Sequence, residues 1–361
     1  MIQAVLKRRF YQALLFLRPI IYLLLIGLAI LFLVWFFYRL KPLFKFVSVI
    51  NPAITQINSS RDRVNVLLLG MAGGGHPGAD LTDSLMFVSL NLLTGDTVLI
   101  SLPRDIWVES LKAKLNTAYH FGQLAQPGGG ITLAKAAVSE ITNQPIHYAA
   151  VLDFSGFAQA IDVLGGLEIN IPREFTDKEY PIPGKETAEP ASARYETIHF
   201  IAGHQRLDGA TVLKYVRSRH AENEEGTDFA RAQRQQLVIL AFKNQLLSTK
   251  VLLNPAKLSR LKTVVADSVQ SDIPVNAYPD FFKLLMRLDR SQIRTGIVDQ
   301  GSESEEIPPL LYHPPDTLYG QWVLLPVNNN WQTVHQYIND LIFQNQAIVS
   351  SKIGRYLAFG V

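Results

Sequence analysis

The sequence predicts an α/β domain, a mixed central β-sheet sandwiched by helices, preceded by one transmembrane helix. Three observations predict it. Residues 19–38, PIIYLLLIGLAILFLVWFFY, form an uncharged run. Short, almost wholly apolar runs such as VNVLLLGM at 64–71 and VLISLP at 98–103 have the length and texture of strands buried on both faces. Between such runs lie stretches whose apolar residues recur at helical spacing, and strands alternating with helices imply a sheet covered by helices.

The uncharged run has about the 20 residues that a helix needs to cross a hydrocarbon core roughly 30 Å thick. It ends in Trp35, Phe36, Phe37 and Tyr38, which suit an interfacial aromatic belt and not a small-residue cleavage site, so an uncleaved anchor is expected. Lys7, Arg8, Arg9 and Arg18 precede it, and Arg39, Lys41 and Lys45 follow it, a narrow excess in favour of a cytoplasmic N-terminus. The expected layout is a cytoplasmic tail at 1–18, the helix at 19–38 and a membrane-proximal linker at 39–62. A main domain at 63–250 and a C-terminal continuation or extension at 251–361 come after these.

Within the main domain, 64–71 reads as the first strand, ending in a glycine loop. LMFVSLNL at 85–92 and VLISLP at 98–103 are the next two, joined by the turn TGDT. GITLAKAAVSEITNQ reads as a helix, HYAAVLD as a strand and FSGFAQAIDVL as a helix closed by Gly165-Gly166, with LEINI as a further strand. Residues 173–198 are polar and hold three prolines, which reads as a loop. TVLKYVRSRH at 211–220 reads as a strand. DFARAQRQQLVILAFKNQLL at 228–247 reads as a long helix with Asp228 near its start as a cap. Beyond residue 250 the pattern blurs into a partly helical 272–288, a loop at 302–315, and a closing strand and helix.

The net charge of +3 gives no support for nucleic-acid binding, and the absence of cysteine removes thiolate metal sites and a cysteine nucleophile. The glycines at 73–75 are not followed by a Walker lysine, no G-x-S-x-G elbow is present, and the histidines lack metal-ligand spacing. What remains points to an anion. Arg104-Asp105 ends a buried strand. Arg217 and Arg219, two apart on the expected strand, share a face. Arg231 and Arg234 share a helix face beside Gln235. Guanidinium groups bind phosphate in bidentate fashion, and a helix start adds free N–H groups. Asp80 and Asp83 offer oxygen ligands to a hard divalent cation. Taken singly, each has a plain alternative: a solvated edge strand, surface helix charges, a structural ion pair, turn residues. Together at strand ends they indicate a phosphate site.

The order of segments VNVLLLG, LTDSLMFVSLNLLTGDTVLISLPRD, KLNTAYHFG, VLDFSGFAQAIDVLGGLEINI, IAGHQRLDGATVLKYVRSRH and DFARAQRQQ resembles the LytR-CpsA-Psr (LCP) family over roughly residues 64–250. The resemblance implies an LCP-like fold outside the membrane and a phosphotransferase. Such an enzyme moves a glycopolymer, such as wall teichoic acid or capsular polysaccharide, from an undecaprenyl-pyrophosphate carrier onto peptidoglycan. It implies Mg²⁺ (or Mn²⁺) on Asp83, pyrophosphate contacts from Arg104, Lys114, Arg217, Arg219, Arg231, Arg234 and Gln235, and an apolar cavity for the polyprenyl tail. Asp105 is the candidate to orient or deprotonate the acceptor. Many members carry a second metal-binding aspartate just after the first strand, where this chain has Met71-Ala72-Gly73; Asp80 is the available substitute. A polyprenyl-pyrophosphate phosphatase and a non-catalytic lipid-carrier binding or regulatory protein are the alternative readings.

Overall fold

The computed structural model describes residues 54–73, 78–182, 184–185, 187–288, 292–301 and 308–343, the side chains of 223, 228, 229 and 232 excepted. The expected tail and transmembrane helix lie outside the described residues, as does most of the linker. Among the described residues no helix is long and apolar enough to cross a membrane. The chain divides into two compact units at Thr55/Gln56, and every strand and helix named below belongs to the second.

The strands are β1 (Arg63–Met71), β2 (Thr82–Asn91), β3 (Thr97–Leu102), β4 (Trp107–Val108), β5 (Ala113–Lys114), β6 (Tyr148–Asp153), β7 (Leu167–Ile171), β8 (Phe175–Pro181), β9 (Tyr195–Phe200), β10 (Gly203–Leu207), β11 (Val269–Ser271), β12 (Ile293–Ile297), β13 (Leu311–Tyr312) and β14 (Leu325–Pro326). The principal helices are α1 (Ala118–Ala125), α2 (Gly129–Thr142), α3 (Phe154–Leu164), α4 (Gly209–Arg217), α5 (Asp228–Leu246), α6 (Pro255–Ser268), α7 (Tyr278–Arg287) and α8 (Gln332–Phe343).

Six strands form one mixed sheet in the order β11-β6-β1-β2-β3-β12. The pairs β1–β2 and β2–β3 are antiparallel, whereas β1–β6 and β3–β12 are parallel. The parallel pairs place α2 and other connections on the sheet faces, which buries both faces and explains why the strands are apolar throughout. One face carries Leu67, Leu69, Phe87, Ile100 and Val151, packed on α1, α2 and α8 through Tyr119, Val138, Ile141 and Ile338. A second core joins α3, α4, α5 and the smaller strands through Ile161, Leu167, Phe200, Val212, Tyr215 and Val238. The edge strands β11 and β12 and the core helix α8 all come from beyond residue 250. The C-terminal third therefore completes the sheet and one of its cores and is no appendage.

Three sequence expectations are corrected. TVLKYVRSRH is mainly helix: Asp208 caps α4 by accepting from the Thr211 N–H at 2.8 Å, and Val212, Tyr215 and Val216 bury one face at helical spacing. Tertiary burial outweighs the strand preference of Val and Tyr there. Residues 173–198 are not a loop throughout, because β8 and β9 pair as a hairpin with Phe175, Tyr180, Ile198 and Phe200 turned inward. At the start of α5 the cap is Thr227, whose hydroxyl accepts from the Ala230 N–H at 3.2 Å, and the Asp228 side chain lies outside the described residues.

Candidate functional site: an apolar cavity with an arginine mouth

Between the second sheet face and helices α3, α5 and α6 lies a cavity of about 720 Å³. Its depth is apolar, walled by Leu68, Met86 and Leu152 of the sheet, Phe157 of α3, and Ile239 and Phe242 of α5. Two glycines keep it open and its walls close. A Cβ at Gly70 would meet the Phe154 ring at 2.5 Å. One at Gly156 would lie 1.9 Å from Ser268 Oγ, so α6 approaches α3 only because that residue is glycine.

The described charged residues that line the cavity are Asp83, Arg104, Arg217, Arg219 and Arg231, with His220 and Gln235 beside them. They come from four places: a sheet bulge, the turn after β3, the end of α4 with the segment that follows it, and the start of α5. Asp83 is the extra residue where the β1–β2 register shifts opposite Gly70/Met71. Arg104 Nη1 donates to Asp83 Oδ1 at 2.5 Å, and Arg104 Nε lies 3.5 Å from Asp105 Oδ2. Burial works against the Arg104 charge, but the two neighbouring carboxylates outweigh it and hold its pKa above the ordinary arginine value. Arg217 ends α4 with its guanidinium over the Phe154 ring, 5.3 Å from the centroid. Four arginines and one carboxylate, Asp83, which Arg104 pairs with, thus line one largely apolar chamber.

The expected residues divide into those that line the cavity and those that do not. Asp83, Arg104, Arg217, Arg219, Arg231 and Gln235 line it. Asp105 and Lys114 sit behind Arg104, with Lys114 Nζ donating to Asp105 Oδ1 at 2.9 Å. Arg234 does not line the cavity. It is 2% exposed, and its donors are taken by Tyr215 O at 3.0 Å, Ser218 O at 2.8 Å, and Glu225 O and Oε2 at 2.8 and 2.9 Å. Burial pulls the Arg234 pKa below its ordinary value while Glu225 opposes the shift, and the group remains a cation. The three-residue spacing from Arg231 placed both on one broad face, but the segment from α4 folds over Arg234 and leaves Arg231 at the cavity.

Asp80 does not join Asp83 either. Its Oδ2 is 2.6 Å from His120 Nδ1. Among the described residues no group of three His, Cys, Asp or Glu side chains converges. Asp83 alone, already paired with Arg104, does not fit a metal site built by protein ligands.

Sequence reasoning missed two elements. Asp177 of β8, fully buried, accepts from Ser218 Oγ at 2.7 Å and from the N–H groups of Arg219 and His220 at 3.1 and 3.2 Å. Burial alone would raise its pKa, but these hydrogen bonds hold it below the usual carboxylate value. Asp177 and Arg234 therefore clamp the 218–220 segment from both sides, Asp177 by the Arg219 and His220 N–H groups and Arg234 by the Ser218 carbonyl. The second is the hairpin wall, where Tyr180 and Tyr195 line the cavity. Burial raises the Tyr180 pKa against the pull of Arg217 and Lys214. The alternation FTDKEY and YETIHF was the available signal.

The LytR_cpsA_psr family model matches residues 47–305, a span that takes in every cavity-mouth residue named above. The chain is 28% identical over 228 residues to the polyisoprenyl-teichoic acid–peptidoglycan teichoic acid transferase TagU of Oceanobacillus iheyensis, covering 62% of this chain and 63% of that protein. It is likewise 28% identical over 226 residues to TagU of Enterococcus faecalis, covering 61% and 65%. The chain thus spans just under two thirds of the length of these relatives. Among solved structures it resembles TagV of B. subtilis, with TM-score 0.53 and 21% identity over 79% of this chain and 98% of that one. It also resembles protein gbs0355 of Streptococcus agalactiae, with TM-score 0.54 and 20% identity over 79% and 89%. These likenesses show a shared fold, and with the family match over most of the sequence they establish that the chain belongs to the LytR_cpsA_psr family.

Proposed function

We propose that this chain is a membrane-anchored phosphotransferase that takes a glycopolymer from a polyprenyl-pyrophosphate carrier and joins it to peptidoglycan. One observation carries the reading: an apolar chamber whose mouth gathers Arg104, Arg217, Arg219 and Arg231. A lipid pyrophosphate has that polarity, a hydrocarbon tail ending in a compact polyanion. The anchor at residues 19–38 would hold the domain beside the membrane where such a lipid resides.

In the reaction an acceptor-sugar hydroxyl attacks the phosphorus that bears the polymer. A new P–O bond forms as the bond to the bridging oxygen breaks, which leaves a sugar phosphodiester and polyprenyl monophosphate. The arginines neutralise the charge that grows on the leaving phosphate, and phosphoryl transfer asks little more of a protein than such positioning. Asp105, which accepts from Lys114 Nζ and adjoins Arg104 Nε behind the cavity lining, is the candidate to orient or deprotonate the hydroxyl. A divalent cation such as Mg²⁺ or Mn²⁺, if carried in by the pyrophosphate, would neutralise part of its charge, and Asp83 would offer it one carboxylate in competition with Arg104.

The test incubates the full chain in detergent with a lipid-pyrophosphate-linked polymer and peptidoglycan, and follows release of lipid monophosphate. Acceptor-dependent release, reduced on the order of 10²-fold or more by Arg217→Ala, is expected. Release that ignores the acceptor would make the chain a phosphatase, and arginine-dependent lipid binding without release would make it a carrier-binding protein.

A further inference from the structure

We infer that a partly exposed aromatic platform formed by Trp107, Tyr319 and Trp322, beside the arginine mouth, binds the sugar rings of a neutral glycan acceptor. This rests on the transferase reading above.

The platform is continuous with the candidate site through the backbone. The Trp107 N–H donates to Leu324 O at 2.9 Å and the Leu324 N–H donates to Asp105 O at 2.9 Å, so the segment from β13 to β14 is stitched to β4 and to the turn that carries Arg104 and Asp105. It is continuous through side chains as well. Trp107 is paired across β4 and β5 with Lys114. Lys114 bonds Asp105, Asp105 adjoins Arg104, and Arg104 bonds Asp83 in the cavity mouth.

The rings are held, yet open. Trp107 and Tyr319 meet edge to face with centroids 4.9 Å apart. Trp322 stacks on His313 at 3.6 Å and still leaves half of its surface to solvent. His313 is itself fixed, its Nδ1 donating to Val323 O at 2.9 Å and its Nε2 lying 3.3 Å from Asp316 Oδ1. A tryptophan immobilised on one face and wet on the other loses little entropy on binding. The axial C–H face of a pyranose fits such a ring, while its hydroxyls need acceptors at the rim. The rim supplies them: Glu109, which accepts from Trp107 Nε1 at 3.0 Å and pairs with Lys112, and the exposed Asp316.

These carboxylates also select. A polyanion such as a phosphate-rich polymer or an anionic membrane surface is disfavoured beside them, and the arginines that would welcome one lie at the other end of the track. The platform therefore suits an uncharged, hydroxyl-rich chain that approaches Asp105 from the side opposite the lipid.

The probe is chitohexaose, a neutral β-linked amino-sugar oligomer, titrated into the full chain in detergent by calorimetry and tryptophan fluorescence. Saturable binding is expected, weakened about fivefold or more by Trp322→Ala and largely kept by Trp322→Phe, in keeping with the worth of one aromatic contact. No binding, equal binding by the wild type and Trp322→Ala, or tighter binding of poly(glycerol phosphate) than of chitohexaose at the same surface would overturn the proposal. A parallel titration of the wild type with geranyl pyrophosphate separates the two readings. Pyrophosphate binding without glycan binding sinks the platform alone, and glycan binding without pyrophosphate binding sinks the transferase reading.

Discussion

Replacing Arg234 with methionine should cost stability, and its neighbour Arg231 should behave in the opposite way. Arg234 is buried and donates to three carbonyl oxygens and to the Glu225 carboxylate, while its guanidinium lies over the Phe175 ring, 4.8 Å from the centroid. Methionine fills much of the volume but donates nothing. The carbonyls of Tyr215 and Ser218 are then left in a buried place, at about 1–3 kcal/mol each. Glu225 is partly exposed and can turn to solvent, which discounts its share. The net loss should be about 3–5 kcal/mol, the range seen when one partner of a buried pair is removed. With a urea dependence of about 3 kcal/mol per molar, the midpoint falls by roughly 1–1.7 M. Arg231→Met should shift stability by no more than about 1 kcal/mol and weaken binding of geranyl pyrophosphate. The assay is urea unfolding of the full chain in detergent, followed by tryptophan fluorescence, beside a ligand titration under native conditions. An Arg234→Met protein with the wild-type midpoint and a selective loss of pyrophosphate binding would refute the argument, because Arg234 would then be a ligand and no brace.

Asp177→Asn should destabilise by about 1–3 kcal/mol at neutral pH, since an amide cannot accept from every donor that the carboxylate serves. The folded carboxyl has a depressed pKa, so its contribution is complete above the unfolded value near 4 and is lost as pH falls through the folded value; the gap between wild type and variant should close in acid, as urea midpoints across pH 3–7 will show. Asp83→Asn removes the one carboxylate among the described cavity-lining residues, so without divalent cation it should bind pyrophosphate more tightly, and with Mg²⁺ the advantage should vanish or reverse, as paired calorimetric titrations would reveal. Leu152→Trp projects bulk into the chamber and should weaken a C20 prenyl pyrophosphate far more than inorganic pyrophosphate, an order of magnitude or more at about 0.8 kcal/mol for each displaced CH₂; equal loss for both ligands would mean that the tail lies elsewhere.

Much of the sheet was legible because its strands are buried on both faces and so read as uninterrupted apolar runs. β1, β2, β3 and β6 lie where those runs fall, while β7, in a separate two-stranded sheet, was legible from the alternation of LEINI. The misreadings share a cause. α4 is short and rich in β-branched and aromatic residues, so its local preference is for strand; only the Asp208 cap and the burial of Val212, Tyr215 and Val216 against neighbouring elements make it helix. β8 and β9 pair across a turn-rich stretch whose prolines mask a two-residue period. β11 and β12 are short edge strands whose partners lie more than a hundred residues away in sequence.

Amino-acid order by itself determined the chemistry on offer: a hydrophobic run of membrane length, a chain without thiols, a set of arginines near strand and helix ends, and the segment order of a family. The tertiary structure decided which of those groups share one space. Arg231 and Arg234 are three residues apart, yet one faces the cavity and the other is consumed by carbonyls. Asp80 and Asp83 are equally close, yet one turns to His120 and the other to Arg104. A side chain's role depends on which donors and acceptors reach it first, and buried polar groups that cannot stay unsatisfied settle that competition through contacts distant in sequence.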